Sequence, residues 1–220
     1  METIHRLIRS RRRSLALIVE RDGSLTVRAP LHLDEAEIAR FVQTKSAWIA
    51  RKQAQAARVA SLVHRYQDGE SFPFLGADYP LRLVTGLKSG LAFDSAFTLD
   101  RSRGAEGERL FVSWYRRQAR RWIEARVAYF AGLHGFQPGR VRISSARTRW
   151  GSCSRQGTLS FPWRLVMAPS EVIDYVVVHE LCHLEHLNHS KAFWAHVRSI
   201  LPGYKRQRAW LKHHGERLQL

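Results

Sequence analysis

One long apolar segment, ending in closely spaced histidines, limits most strongly how this chain can fold. It begins after Pro169 and reads SEVIDYVVVHELCHLEHL, with no glycine or proline to interrupt a helix. Its first half is too apolar for a solvated helix, so we predict a helix in the core with Ser170 as its N-cap. Histidines on such a helix lie at or beside the core, where neutral imidazoles need polar partners.

Two of these histidines are spaced so that they can act together. His179 and His183 are four residues apart and therefore share one face of the helix. Glu180 follows the first histidine, which gives the arrangement H-E-x-x-H: two imidazoles that bind one zinc ion and a glutamate that acts as general base. A pair of surface histidines is the alternative interpretation. The apolar residues before the motif and the further histidines after it favour the metal site.

A catalytic zinc site needs a third protein ligand and an open position for water. His186 lies on the same stripe of the helix as His179. Along a straight helix, however, seven residues separate the two by about 10.5 Å, which is too far for one ion. We therefore predict that His186 is a partly exposed neighbour of the site.

His189 is the favoured third ligand. Asn188 readily adopts the left-handed conformation that ends a helix, and Ser190 is a good N-cap for the next helix. The chain can therefore turn back here and bring His189 over the metal. Glu216 is the rival ligand, because it is the only acidic residue after the histidine-rich segment and some zinc enzymes use two histidines and a glutamate.

The rest of the chain alternates between strand and helix signals. Two β-rich runs flank an Asp22-Gly23 turn, which predicts a hairpin. A helix with Asp34 as N-cap is predicted from there to about Arg65. Further along we predict β structure over residues 71–100, a helix over 108–133, two short strands around residues 156–157 and a final pair of helices after residue 169.

These elements predict an α+β fold and a single domain over residues 1–220. Within it we expect a β-rich, mostly antiparallel N-terminal subdomain over 1–105 and a catalytic, helical subdomain over 106–220 that carries H-E-x-x-H. The segment TLSFPWRLV precedes the histidine helix, and Pro162 within it is compatible with an edge strand. We therefore expect this strand to offer a free edge to an extended peptide.

Charge and cysteine content limit the partners and the compartment. Lysine and arginine number 36 against 19 acidic residues, which gives a net charge of +17. Such a surplus favours nucleic acid or another polyanion as partner, and a solvated basic surface is the alternative. Cys153 and Cys182 are too few for a disulfide framework, and we find neither an export signal nor a membrane span. We therefore expect a cytoplasmic location and no membrane partner.

Several of these segments resemble a known family. RTRWGSCS, LSFPWRLVMAPSEVIDYVVV and HELCHLEHLNHSKAFW look like segments of the YgjP-like metallopeptidase family, a zincin group related to the SprT and WLM proteins. The resemblance extends from about Ile4 to Lys212. It implies a zincin-like α+β core and one Zn²⁺ per chain. The residues that it assigns are His179, His183 and His189 as metal ligands and Glu180 as catalytic acid and base.

The predicted function is therefore that of a zinc-dependent metallopeptidase acting on a protein or peptide. Zinc would lower the pKa of a bound water to about 7, and Glu180 would accept its proton as the water attacks the peptide carbonyl. Arg149, Tyr204 and His196 are candidates for stabilising the oxyanion. Two alternatives stay open: a zinc hydrolase of a non-peptide amide, and a basic protein associated with nucleic acid, including a protease of DNA-bound proteins.

Overall fold

The computed structural model describes residues 3–20, 22–60, 64–218 and 220. By their internal contacts the residues group into two units, 1–63 and 64–220. Both units contain strands and helices, so the predicted α+β fold class is confirmed. The predicted division into subdomains 1–105 and 106–220 stays a prediction.

The first unit consists of a three-stranded sheet and two helices. Its elements are β1 (Arg6–Ser10), β2 (Ala16–Val19), β3 (Leu25–Pro30), α1 (Glu35–Thr44) and α2 (Ser46–Ala60). Strand β3 is central, antiparallel to β2 and parallel to β1. The predicted hairpin is therefore confirmed, and Asp22 Oδ1 accepts a hydrogen bond from the backbone N–H of Ser24 in its turn.

The helix predicted from Asp34 to about Arg65 is in fact two helices. Its start is as predicted: Asp34 Oδ1 accepts from the backbone N–H of Glu37, and the Glu37 carboxylate accepts from that of Asp34. The helix is interrupted at Lys45, whose φ of −108° and ψ of 9° leave the helical region. Residues 61–63, near the predicted end, lie outside the described residues.

The second unit contains two sheets and four α-helices within the described residues. One sheet has the order β4-β5-β7-β6, formed by β4 (Ser71–Phe74), β5 (Ala77–Val84), β6 (Leu91–Phe93) and β7 (Phe97–Asp100). The other has the order β8-β10-β9, formed by β8 (Val141–Ser144), β9 (Ser152–Cys153) and β10 (Leu159–Pro162). The helices are α3 (Gly107–His134), α4 (Ser170–Cys182), α5 (Lys191–Ile200) and α6 (Tyr204–His214). In the described part of the chain, no helix combines the length and apolar character that crossing a bilayer requires.

The strand that was predicted to offer a free edge is central in its sheet. Strand β10 pairs with β8 in parallel and with β9 in antiparallel orientation. Pro162 is its last residue, a position where a missing N–H costs the ladder little. The prediction of an edge strand was wrong, because β10 has a neighbouring strand on each side, β8 along its whole length and β9 at Leu159 and Ser160.

Helix α4 lies in the core of the second unit, as its apolar sequence predicts. It packs against α3, α5 and α6, and most of its residues are buried. Arg126 on α3 donates two hydrogen bonds to the Asp174 carboxylate, at 2.5 and 2.9 Å, and thereby holds the helix in place. Ser170 is the first helical residue, and Pro169 occupies the cap position without a side-chain bond. The predicted N-cap was therefore displaced by one residue.

Candidate metal centre

The side chains of His179, His183 and His189 converge at the C-terminal end of α4. Their ring centroids lie 4.9, 4.9 and 4.8 Å apart, and one ligand nitrogen of each lies within 4.8 Å of the others. The Nε2 atoms of His179 and His189 are 3.0 Å apart. Two nitrogens that bind one tetrahedral zinc ion at 2.0–2.1 Å lie about 3.3 Å apart. The observed separation therefore fits a shared ion.

A turn between α4 and α5 brings His189 into this group. Asn188 Oδ1 accepts from the backbone N–H of Ser190 at 3.1 Å, and Ser190 Oγ accepts from that of Phe193 at 3.3 Å. The predicted N-cap at Ser190 is thus confirmed. The predicted left-handed conformation of Asn188 was wrong, because the non-glycine residues with positive φ in the described chain are Tyr66 and Leu75. The side-chain bond of Asn188 makes the turn instead.

His186, which was considered as a metal ligand, orients the side chain of His183 through its backbone. The Nδ1 of His183 lies 2.8 Å from the backbone carbonyl oxygen of His186. A carbonyl only accepts, so Nδ1 carries the proton and Nε2 keeps the lone pair that a metal requires. The side chain of His186 is not in the three-histidine group. This residue supports the site through its backbone.

Two aromatic residues at the start of α5 pack against the three imidazoles. The ring of Phe193 is fully buried and lies 4.6 Å from His183 and 4.9 Å from both His179 and His189. Trp194 stacks on His189 at 5.6 Å. The sequence analysis did not single out Phe193 and Trp194. Their position four and five residues after His189 was the available signal that they support the site.

Two of the imidazoles have lowered pKa values, which favour their neutral form. Burial lowers the pKa of His179 to about 3, and electrostatic repulsion from the neighbouring His183, His189 and Arg208 side chains acts in the same direction. Burial is also the main cause of the lowered pKa of His189. Zinc binds imidazole in its neutral form, and three imidazoles are a donor set that zinc accepts. The residues present therefore fit a zinc ion.

Glu180 is a buried acid beside this group. Its side chain is only 4% exposed, and its Oε2 has no hydrogen-bond partner among the described residues. Burial raises its pKa to about 8, against the opposing effect of the positive charge of Arg149. A buried carboxyl group without a partner is unfavourable for folding, and such groups cluster at catalytic sites.

The Glu180 carboxyl group rests against the backbone of Gly151. A Cβ atom at Gly151 would lie 2.3 Å from Glu180 Oε1 and 2.6 Å from its Cγ. This contact is possible only for glycine, since real Cβ atoms do not approach other atoms so closely. The backbone at Gly151 therefore acts as a wall that positions the acid.

A cavity of about 330 Å³ opens onto His179 and Glu180. Its other walls include Trp150 and Gly151 on one side and Arg208 and Lys212 from α6 on the other. Sequence reasoning missed Arg208, because nothing in a chain so rich in arginine distinguishes one on a helix more than twenty residues away from the motif. Arg208 lines the cavity together with His179 and Glu180 and is therefore a candidate for the group that stabilises the oxyanion.

The oxyanion candidates from the sequence lie elsewhere. His196 contacts Glu185 and His186, with its Nδ1 3.5 Å from Glu185 Oε2. Tyr204 is buried and stacks on Trp194 at 5.3 Å. Arg149 is exposed, although its charge reaches Glu180.

The rival third ligand and the buried cysteine of α4 also lie outside the three-histidine group. Glu216, the rival third ligand, is exposed in a short 3₁₀ turn over Gly215–Arg217 and does not belong to a potential metal group among the described residues. Cys182 is fully buried, and burial raises the pKa of its thiol to about 12. It is therefore a core residue rather than a thiolate ligand.

Three converging imidazoles next to a buried glutamate at a cavity are typical of metal-dependent hydrolases. A sequence model of the YgjP-like metallopeptidase domain matches residues 13–214. The chain therefore belongs to the YgjP-like metallopeptidase family, and the resemblance found in the sequence is confirmed. Membership implies a metal ion, typically zinc, and a protein or peptide substrate.

Comparison with curated proteins gave no match. Among solved structures, the chain is similar to the metallopeptidase zymogen of Pyrococcus abyssi abylysin. The two are 26% identical, with a TM-score of 0.37, and the match covers 41% of this chain and 93% of abylysin.

Proposed function

We propose that this chain is a zinc-dependent metallopeptidase. His179, His183 and His189 would hold the ion, and Glu180 would be the catalytic acid and base. The observation that carries the proposal is the convergence of three imidazoles beside a buried carboxyl group in a chain of a metallopeptidase family. A purely structural zinc site has four protein ligands and no need of such an acid.

A zinc ion bound there would supply Lewis acidity, which makes a water molecule acidic near neutral pH and polarises a carbonyl group. The carboxylate of Glu180 would accept the proton of the attacking water and deliver it to the nitrogen of the leaving amine. Burial raises the pKa of this group to about 8 in the metal-free chain, and the positive charge of a bound ion would favour the carboxylate form that the first step needs. Gly151 would keep the carboxyl group in place, because the backbone there leaves no room for it to turn away.

We propose Arg208 as the group that stabilises the oxyanion. Its side chain lines the cavity with His179 and Glu180, and its charge lowers the pKa of both His179 and His189. The guanidinium carbon lies 4.7 Å from the ring centroid of Trp194, which holds it by a cation–π contact. It therefore supplies a positioned positive charge where negative charge would develop.

Replacing Arg208 with glutamine is expected to lower kcat by about 10²–10³-fold with little change in KM, because the charge would act mainly in the transition state. Steady-state kinetics on a cleaved peptide measures both constants. Lys212→Gln is the matched control, since Lys212 lines the same cavity one turn further along α6, and its loss should be below about 10-fold. A rise in KM alone for Arg208→Gln would assign this residue to substrate binding instead.

Replacing Gly151 with alanine is expected to lower kcat/KM by about 10–100-fold, because the new Cβ would push the Glu180 carboxyl group out of position. Zinc content should not change, since no ligand contacts the new methyl group. Gly132→Ala is the control, because a Cβ at this position on α3 meets nothing within 4 Å. Full activity of Gly151→Ala would mean that the position of the carboxyl group does not depend on this wall.

The direct test of the proposal is cleavage of a mixed peptide library by the zinc-loaded protein, with the products identified by mass spectrometry. We expect new amino termini with the wild type and none with Glu180→Gln. If the zinc-loaded protein cleaves no peptide but hydrolyses simple amides, the non-peptide alternative replaces this proposal.

One observation favours a second function. Four arginines of α3, Arg116, Arg117, Arg120 and Arg121, line a groove of about 450 Å³. Such a concentration of cations attracts polyanions. Association with nucleic acid therefore remains the alternative, or an addition, to peptidase activity.

The cytoplasmic location also stays a prediction.

A further inference from the structure

A second group of metal-ligating side chains lies beside the turn after α4. Glu185, His186 and His196 each place one ligand atom within 4.8 Å of the other two. Glu185 Oε2 is 3.5 Å from His196 Nδ1, and the rings of His186 and His196 meet edge to face with centroids 5.4 Å apart. None of these side chains belongs to the three-histidine group.

Tertiary structure, rather than sequence proximity alone, assembles this group. Glu185 and His186 come from the turn, whereas His196 comes from the middle of α5. The buried ring of Phe136 stacks on His196 at 5.4 Å and holds it towards the turn. The Glu185 side chain is 56% exposed, so an ion has access from solvent.

The chemistry of the group suits a transition metal. Two imidazoles and one carboxylate form a ligand set that zinc accepts, with water at the remaining position. An ion pair between Glu185 and His196 would use only two of the three side chains. It would not involve His186, whose ligand atom also lies within 4.8 Å of the other two.

We propose that Glu185, His186 and His196 form a second zinc site, which clamps the turn after α4 to α5. The site goes beyond the proposed peptidase function and raises the expected zinc content from one ion per chain to two. It is also coupled to the first centre, because the carbonyl of His186 accepts the hydrogen bond that orients His183. Filling the second site should therefore slow the loss of zinc from the first.

The stoichiometry is tested by dialysing the purified chain against excess zinc chloride and counting bound zinc by plasma mass spectrometry. We expect two ions per chain for the wild type and one each for His196→Gln and Glu185→Gln. These substitutions keep size and polarity, which preserves the fold. His134→Gln is the control: this histidine is exposed and lies near Phe136, with ring centroids 6.5 Å apart, but outside the group. It should keep two ions.

A variant of the first centre separates this inference from the proposed function. His189→Ala should keep one ion, held at the second site, and the double variant His189→Ala/His196→Gln should keep none. If the three histidines do not bind zinc, His189→Ala has the same zinc content as the wild type, whereas His196→Gln still has less. Zinc content in His196→Gln and Glu185→Gln equal to that of the wild type overturns the second site, whether the wild type binds one ion or two.

The coupling has its own measurement. Zinc release from the first centre is followed after addition of a chelator, with the second site filled in the wild type and absent in His196→Gln. We expect release to be about 10-fold faster in the variant, because the turn that orients His183 is no longer clamped. Equal release rates would contradict the coupling.

Discussion

Glu180→Gln is expected to lower kcat/KM for peptide hydrolysis by about 10²–10⁴-fold while zinc content stays the same. An amide cannot accept a proton from water, but it has nearly the same shape as the carboxyl group and fits the same place against Gly151. Activity is measured on a cleaved peptide, and zinc per chain on the same sample. Glu171→Gln is the matched control, because Glu171 lies exposed in the first turn of the same helix.

The same variant should be more stable than the wild type when both are free of metal and the pH is high. The pKa of Glu180 is raised from 4.5 to about 8 in the folded chain. The stability that comes with its protonation is fully present below about pH 4.5 and is lost as the pH rises through about 8. Glutamine does not ionise, so the free energy of unfolding of Glu180→Gln at pH 9 should exceed that of the wild type by about 2–5 kcal/mol.

This stability difference shows whether the loss of activity has a chemical cause. Thermal unfolding at pH 5 and pH 9 should give a small difference between the two proteins at pH 5 and a larger one at pH 9. An inactive Glu180→Gln that is less stable at both values would mean that the glutamate serves the fold rather than the reaction.

Local sequence signals predicted the elements whose ends depend on a few neighbouring residues. The capping box at Asp34 and the cap at Ser190 involve residues only three positions away. The long helix α3 ends where expected, at Gly135, whose φ of 74° suits glycine. The interruption at Lys45 was missed, since no proline or glycine marks it.

Strand order could not be predicted in the same way. Strand β10 is central because Leu159 pairs with Val141, eighteen positions earlier, as well as with Cys153. A parallel pairing of this kind depends on the intervening chain, and a local pattern contains no information about it. The proline in this strand was compatible with an edge position and equally with the end of a central strand.

The candidate site also combines residues that local sequence signals predict with residues that only tertiary packing brings together. Helical periodicity placed His179 and His183 on one face, and turn signals brought His189 back to them. Gly151 and Arg208 carry no comparable signal, because they reach the cavity from the segment before β9 and from a helix that contacts α4 only through tertiary packing. The candidate ligands could therefore be predicted from the sequence, whereas the residues proposed to position substrate and acid could not.

His189→Ala is expected to weaken zinc binding at the first centre by more than about 100-fold and to abolish activity. Only two imidazoles would remain to bind the ion, because the variant lacks the Nε2 atom of His189 that now lies 3.0 Å from the Nε2 of His179. Zinc is counted after dialysis against a competing chelator, so that only the tightest site stays filled. His186→Ala should keep this ion, because its backbone carbonyl still orients His183.

The comparison of these two variants decides which chain geometry is correct. Both histidines lie in the same turn, so a general loss of folding should affect both variants alike and would appear as equal falls in melting temperature. Zinc that is lost from His189→Ala but kept by His186→Ala supports the turn as described, with the chain reversed at Ser190. Zinc lost from His186→Ala but kept by His189→Ala would mean that the His186 side chain binds the tightest ion. That ion would lie either at the second group or at a site where α4 continues past His183, against the 10.5 Å or so that a straight helix places between His179 and His186.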